Sequence, residues 1–336
     1  MKITDFNKLK KTFIIAEIGN NHEGNLKLAK TLIKLASKAK VDAVKFQTFV
    51  TEDFINKKEK KRFRNLKKFE LSKEQFLELK SYAHSKKLKF ISTPLDISSA
   101  KFLIKNSDII KVASGDNNFF PLIENIISSK KSIIISTGLL NMDEINFLKK
   151  KIYKLIGKDL AHKKVAFLHC VTSYPVNDKF ANLNSIKYLI DKLNFTVGYS
   201  DHTLGVDAAF VASSIGAKII EKHFTIDKNY SDFRDHALSA DFTELREIVQ
   251  KIRKIEILKG KYQKKIQFCE KKFLNHIRRS AFAKHKIYSG QNLTLNNTKF
   301  LRSKNSKNFF HLKDIIGKKL LKTVAKDTKI QKKNLI

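Results

Sequence analysis

The chain has 336 residues, 42% of them hydrophobic and 30% charged, with a formal net charge of +36. This is a globular composition with room for one large and one small domain, and it excludes a disordered or low-complexity chain. No apolar run approaches the roughly 20 residues of a membrane span, no secretory signal opens MKITDFNKLKKTF, and Cys170 and Cys269 form no CxxC spacing that would suit a disulfide framework or a thiolate metal site.

Taken in chain order, FIIAEIG (13–19) is the first strand-like run. NLKLAKTLIKLASKA (25–39) follows it, with Leu26, Leu28, Ala29, Leu32 and Leu35 mostly on one helical face. VDAVKFQT (41–48) is the second run, and SKEQFLELKSYAHSK (72–86) opens on Ser72 with Gln75 three residues on, a capping-box signature. Then come LKFISTP (88–94), DIIKVASG (108–115), KSIIISTG (131–138), VAFLHC (165–170), FTVGYS (195–200) and AKIIEKH (217–223), before the helical FTELREIVQKIRKIEIL (242–258). The runs are short, β-branched or aromatic, and nearly continuous in apolar character, as strands buried on both faces are. Eight strand–helix repeats predict an α/β fold, a (β/α)8 TIM barrel, over residues 1–258. A doubly wound sheet is the alternative, but no GxGxxG follows the first run. The basic stretch 259–275 reads as a linker, and 276–336, with short β-rich runs between SG, NN and KD turns, as a small mostly β domain.

In such a barrel the chemistry sits at the C-terminal ends of the strands. Pro94, Pro121 and Pro175, and Gly19, Gly115, Gly138 and Gly198, fall at or near those ends in a chain otherwise poor in both residues. The polar groups gathered there are Glu17, Asn20, Asn21, His22 and Glu23; Lys45 and Gln47; Ser92 and Thr93; Lys111, Ser114 and Asp116; Ser136 and Thr137; His169, Thr172, Ser173 and Tyr174; Ser200, Asp201 and His202; and Glu221 and His223. Two lysines with hydroxyls on adjacent strands suit a phosphate or carboxylate; the alternative is that Lys45 and Lys111 pair with Glu17, Asp116 or Glu221. His202 and His223 end successive strands, so their imidazoles can meet and hold a divalent ion of the Mn²⁺, Fe²⁺, Co²⁺ or Zn²⁺ type, or can be satisfied core histidines. Cys170 is a candidate nucleophile or a small buried residue. The lysines are spread along the whole chain and no nucleic-acid motif is present, so the charge reads as solvated surface whose field favours an anionic substrate, with neither nucleic acid nor membrane as partner.

The strings IIAEIGNNHEGN, VKFQT, FISTP, KVASGDNNFFPL, IIISTG, LHCVTSYP, VGYSDHTLG and IIEKHFT closely resemble the sialic acid synthase family, and the tail resembles its C-terminal antifreeze-like (SAF) domain. The resemblance implies a cytoplasmic enzyme that condenses phosphoenolpyruvate with a 2-acetamido sugar, N-acetylmannosamine or a modified relative, into a nine-carbon 2-keto-3-deoxy acid. By that resemblance Lys45, Thr93, Lys111, Ser114, Ser136 and Ser200 hold phosphoenolpyruvate. His202 and His223 bind the metal, Mn²⁺ first with Mg²⁺ or Co²⁺ as alternatives, and Glu17 or Asp116 manages protons. Glu17, Gln47, Tyr174 and Asp235 face the sugar, and Arg302 reaches from the SAF domain into the partner subunit of a swapped homodimer. The segment 55–72, the residues before Asp235 (with Arg234 as an added charge) and Thr172 depart from the family pattern, all on the sugar side. Legionaminate- or pseudaminate-type synthesis from a 2,4-diacetamido-6-deoxy hexose, a Schiff-base lyase using Lys45 or Lys111, and a polyanion-binding module are the rival readings.

Overall fold

Eight strands pair in parallel, each with its chain neighbour: β1 (Phe13–Gly19), β2 (Ala43–Thr48), β3 (Lys89–Pro94), β4 (Ile109–Val112), β5 (Ser132–Ser136), β6 (Val165–Cys170), β7 (Thr196–Asp201) and β8 (Ile219–His223). The eighth pairs with the first, Phe13 against Ile219 through Glu17 against His223, and the barrel closes. The structure, a computed structural model, describes residues 5–129, 131–303 and 312–336. They form two units, Met1–Gly260 and Lys261–Ile336.

The first unit is the predicted (β/α)8 barrel. Outward-facing strand residues such as Ile14, Val44, Phe46, Phe90, Phe167 and Ile220 pack against the helices' Leu32, Leu79, Leu103, Ile126, Ile152 and Ile248 in one continuous core. The helices start where side chains satisfy their free N–H groups: Asn25 accepts from Leu28, Ser72 and Gln75 form the predicted capping box, and Asp241 with Glu244 forms another. The basic segment before the third strand contains a helix, Lys60–Phe69, with no buried residue.

The lumen has its own small core. Phe13, Ile15, Ala43, Ile91, Ile109, Ile134, Ala166, Leu168 and Ile219 fill it, and Phe6, on the turn Phe6–Lys8, packs against them. Side chains on a strand return to the same face every second residue. Two residues beyond the apolar plug, the lumen therefore presents Glu17, Lys45, Thr93, Lys111, Ser136, Cys170 and Glu221, to which β7 adds Ser200, and all eight are buried. Gly198 lies inside β7 and not at its end, because a Cβ there would sit 2.4 Å from the Ile219 carbonyl and 2.6 Å from Leu168.

In the second unit, β9 (Arg279–Ala283) runs antiparallel to β10 (Thr298–Arg302), with isolated bridges such as Ile287–Val324 extending the pairing. Ala281, Ala283, Ile287, Leu293, Ile315, Leu320, Val324 and Ile330 form its core, a small β domain as the turn-rich sequence predicts. The 261–275 part of the predicted linker falls within this unit, where Phe268–Phe273 is a 3-10 helix. Among the described residues no helix is long and apolar enough to cross a membrane.

Candidate active site

The alternation that builds the polar layer also removes three residues from the predicted rim. Ser92 faces outward, sharing a hydrogen bond with Thr48 and donating to the Phe46 carbonyl. His169 faces outward too, its Nε2 2.9 Å from the Ala181 carbonyl and its ring stacked on Tyr199. Asp201 turns to the same outer side and meets Lys222. In each case the cause is parity: a residue one position from a lumen residue points to the helices.

Inside, the two lysines are paired with carboxylates and also touch hydroxyls. Lys45 Nζ lies 3.0 Å from Glu17 Oε2, 3.6 Å from Glu221 Oε1 and 3.3 Å from Thr93 Oγ1. Lys111 Nζ donates to Ser136 Oγ at 2.7 Å and lies 3.7 Å from the same Glu221 oxygen, which also accepts from Ser200 Oγ at 2.9 Å. The ion-pair alternative is present, with the hydroxyls of Thr93 and Ser136 in the same cluster. Burial pushes the Glu17 carboxyl up although Lys45 pulls it down, whereas burial of Glu221 is outweighed by Lys111 and Lys45, which hold it low. Burial lowers Lys111, while for Lys45 the facing carboxylates overcome burial and raise it.

Two residues past Ser136, the partner of Lys111, Gly138 leaves two hydroxyls room to approach its backbone. A Cβ on Gly138 would lie 2.4 Å from Thr172 Oγ1 and 2.6 Å from Ser114 Oγ. Neither of those buried hydroxyl oxygens has a hydrogen-bond partner. Buried polar groups are nearly always satisfied, so two orphan hydroxyls converging over a glycine mark a place for a ligand oxygen. Asp116, just past Ser114, is half-buried, and burial pushes its carboxyl up to about 6 against the pull of Lys111.

The two histidines do meet, with ring centroids 5.5 Å apart. His202 Nδ1 lies 3.0 Å from the Val171 carbonyl and 3.8 Å from Cys170 Sγ. Donation to that carbonyl leaves Nε2 as the nitrogen free of it, and although burial lowers the ring, Cys170 and the Val171 carbonyl raise it above the usual imidazole value. His223 Nδ1 is buried without a partner, and burial, reinforced by the His202 charge, holds this ring well below the usual imidazole range. Tyr174 lies over His202 at 4.2 Å, and the Arg234 guanidinium lies over Tyr174 at 4.9 Å. Asp235 is buried, its Oδ1 3.3 Å from Arg234 Nε, and Gln47 accepts from Asn20 at 2.9 Å. Arg302 is an exposed residue of the second unit, opposite Arg279 on the β9–β10 pair. Among the described residues no three His, Cys, Asp or Glu side chains are grouped to hold a metal ion.

The sequence pattern of the NeuB family matches residues 32–264. This chain belongs to the NeuB family. It is 42% identical over 310 residues to an uncharacterized protein of Methanocaldococcus jannaschii, covering 92% of this chain and 90% of that one. It is 35% identical to the N,N'-diacetyllegionaminic acid synthase of Campylobacter jejuni, over 96% of this chain and all of the relative. Among solved structures, the N-acetylneuraminic acid (sialic acid) synthetase of Leptospira borgpetersenii superposes with a TM-score of 0.72 at 36% identity, covering 78% of this chain and 90% of that one. The protein is therefore an enzyme, a synthase of the sialic acid type.

In this NeuB-family barrel one residue of the lumen layer stands out that sequence reading offered only as an alternative ion-pair partner of the lysines. Glu221 is the single carboxylate facing both lysines. The signal for it was available, since it follows the plug residue Ile219 by two.

Proposed function

We propose that the chain condenses phosphoenolpyruvate with an open-chain 2-acetamido sugar, forming a nine-carbon 2-keto-3-deoxy acid and inorganic phosphate. The carrying observation is the cradle of Lys45, Lys111, Ser136 and the orphan hydroxyls of Ser114 and Thr172, set beside two facing imidazoles. A small anion bearing both carboxylate and phosphate suits two ammonium groups and a ring of hydroxyls. Thr93 and Ser200 complete the donor set from β3 and β7.

His202 and His223 would hold a divalent ion of the Mn²⁺ type, with the remaining positions left to water and substrate oxygens; both rings offer a nitrogen whose other side is fixed or free of protein contacts. When bound, such an ion polarises the sugar aldehyde as a Lewis acid. C3 of phosphoenolpyruvate attacks the aldehyde carbon, water adds at C2, and the tetrahedral adduct expels phosphate by C–O cleavage. Lys45 and Lys111 hold the negative charge through these steps, Glu17 or Asp116 moves the proton of the attacking water, and Glu17, Gln47, Tyr174 and Asp235 orient the sugar. We assign Arg302 to the partner subunit's site in a swapped homodimer, and the second unit to an antifreeze-like domain.

The test is phosphate release from phosphoenolpyruvate with Mn²⁺, with and without EDTA, across N-acetylmannosamine, its 6-phosphate and 2,4-diacetamido-6-deoxy hexoses. Release that needs one acceptor and stops with EDTA is the expected result. Folded protein that fails to bind phosphoenolpyruvate at all would reject the reading. A pH profile adds to it: if Asp116 is the base, it is neutral below pH of about 6 and ionised above, so turnover rises through that range. Asp116→Asn should flatten that limb and lower the plateau about 10²–10⁴-fold; an unchanged limb assigns the role to Glu17.

A further inference from the structure

We propose that the buried ion pair Asp201–Lys222 is a positioning device that sets the two histidines against each other. It rests on the metal reading of His202 and His223. On the shared edge of β7 and β8 the register is Tyr199 against Ile220, Ser200 against Glu221, and Asp201 against Lys222. The Ser200–Glu221 rung faces the lumen; the Asp201–Lys222 rung faces the helices. The histidines follow at once, His202 after Asp201 and His223 after Lys222. The pair is thus the last outer rung behind the two imidazoles.

Lys222 Nζ lies 2.9 Å from Asp201 Oδ2, with the two side chains 1% and 0% exposed. Tyr199 also bonds Asp201 through its side chain, and three further contacts converge on Thr203. Asp201 Oδ1 accepts from its N–H at 2.9 Å and its hydroxyl at 2.7 Å, and Lys222 Nζ donates to its carbonyl at 2.5 Å. Every polar group of Thr203 is taken by the pair, so His202 is held between two anchored neighbours. Its own carbonyl accepts from Val176 N–H at 2.9 Å.

The Coulombic part of a buried ion pair gains little over well-packed hydrophobic residues. An apolar pair here would also orphan the N–H, hydroxyl and carbonyl of buried Thr203, and each buried polar group left without a partner costs stability. The rung below, Tyr199 against Ile220, belongs to the apolar core between barrel and helices. What an ion pair adds is direction. It fixes one spacing of the strand tips and one turn after His202, and through them one separation of the two imidazoles.

The experiment compares wild type, Asp201→Asn, Lys222→Met, the apolar double variant Asp201→Leu/Lys222→Met, and His202→Ala. Mn²⁺ binding is measured by electron paramagnetic resonance, and the melting temperature alongside. The double variant should melt below wild type, because Thr203 loses its partners, and hold Mn²⁺ about 10–100-fold more weakly, the usual effect of losing support behind a metal ligand. Each single variant should also hold Mn²⁺ more weakly than wild type. A stable double variant with wild-type Mn²⁺ affinity overturns the inference while the metal reading stands. Should the double variant not fold, Asp201→Asn, which keeps an acceptor for Thr203, decides: wild-type Mn²⁺ affinity in it overturns the inference. Wild type that binds no more Mn²⁺ than His202→Ala overturns the metal reading itself, and the inference with it.

Discussion

His202→Ala is expected to lower phosphate release at least about 10³-fold while the protein stays folded, and added Mn²⁺ should not restore it. Several kcal/mol of charge stabilisation come from an ion bound to an aldehyde oxygen, and about 4 kcal/mol corresponds to that factor. On the proposed metal reading the variant would leave His223 as a single imidazole where wild type offers two. His169→Ala is the matched control. This histidine comes from the adjacent strand β6, but it points to the helices and bonds the Ala181 carbonyl. Its loss should cost stability and leave turnover within a few-fold of wild type. Circular dichroism and phosphate release on the two variants separate a site histidine from a structural one, and equal activities would remove the metal assignment.

The contrast between His202 and His169 shows where sequence reading succeeds and where it stops. Near-continuous apolar runs at regular spacing carry the barrel plainly, since a strand buried on both faces must be written that way. Which residues of a strand enter the lumen is a matter of parity, and a continuous run hides parity because both faces are apolar. Ser92, His169 and Asp201 look like rim residues for that reason. The three-dimensional phase is set by β1, where Ile15 fills the lumen and Glu17 follows it. Glu221 falls into place once that phase is known. The gap over Gly138 lies further from view, because it depends on Ser114 and Thr172 arriving from two other strands. Likewise the Lys222–Thr203 contact joins residues 19 apart in a turn no local pattern announces.

Lys45→Met should both destabilise the barrel and stop turnover, and a second substitution should separate the two effects. Removing the ammonium leaves Glu17 and Glu221 buried in one layer with a cation lost between them. Breaking a buried pair from one side costs about 3–5 kcal/mol. In Lys45→Met/Glu17→Gln the uncompensated carboxylate is gone as well, Glu221 keeps Lys111 at 3.7 Å and Ser200 at 2.9 Å, and most of that loss should return. Turnover should not return, since one of the two cations facing the anion is still missing, and loss of a single preorganised donor costs about 10²–10³-fold. Glu17→Gln alone is the control, because Glu17 is itself assigned to the sugar and its protons, and it should keep more turnover than the double variant. Urea unfolding of the single and double variants measures the first effect, and phosphate release the second. If the double variant regained activity together with stability, Lys45 would be a structural partner of Glu17 and nothing more. If stability alone returns, and Glu17→Gln alone is more active than the double variant, the lysine's pairing with Glu17 and its work on the substrate are two separate uses of one charge.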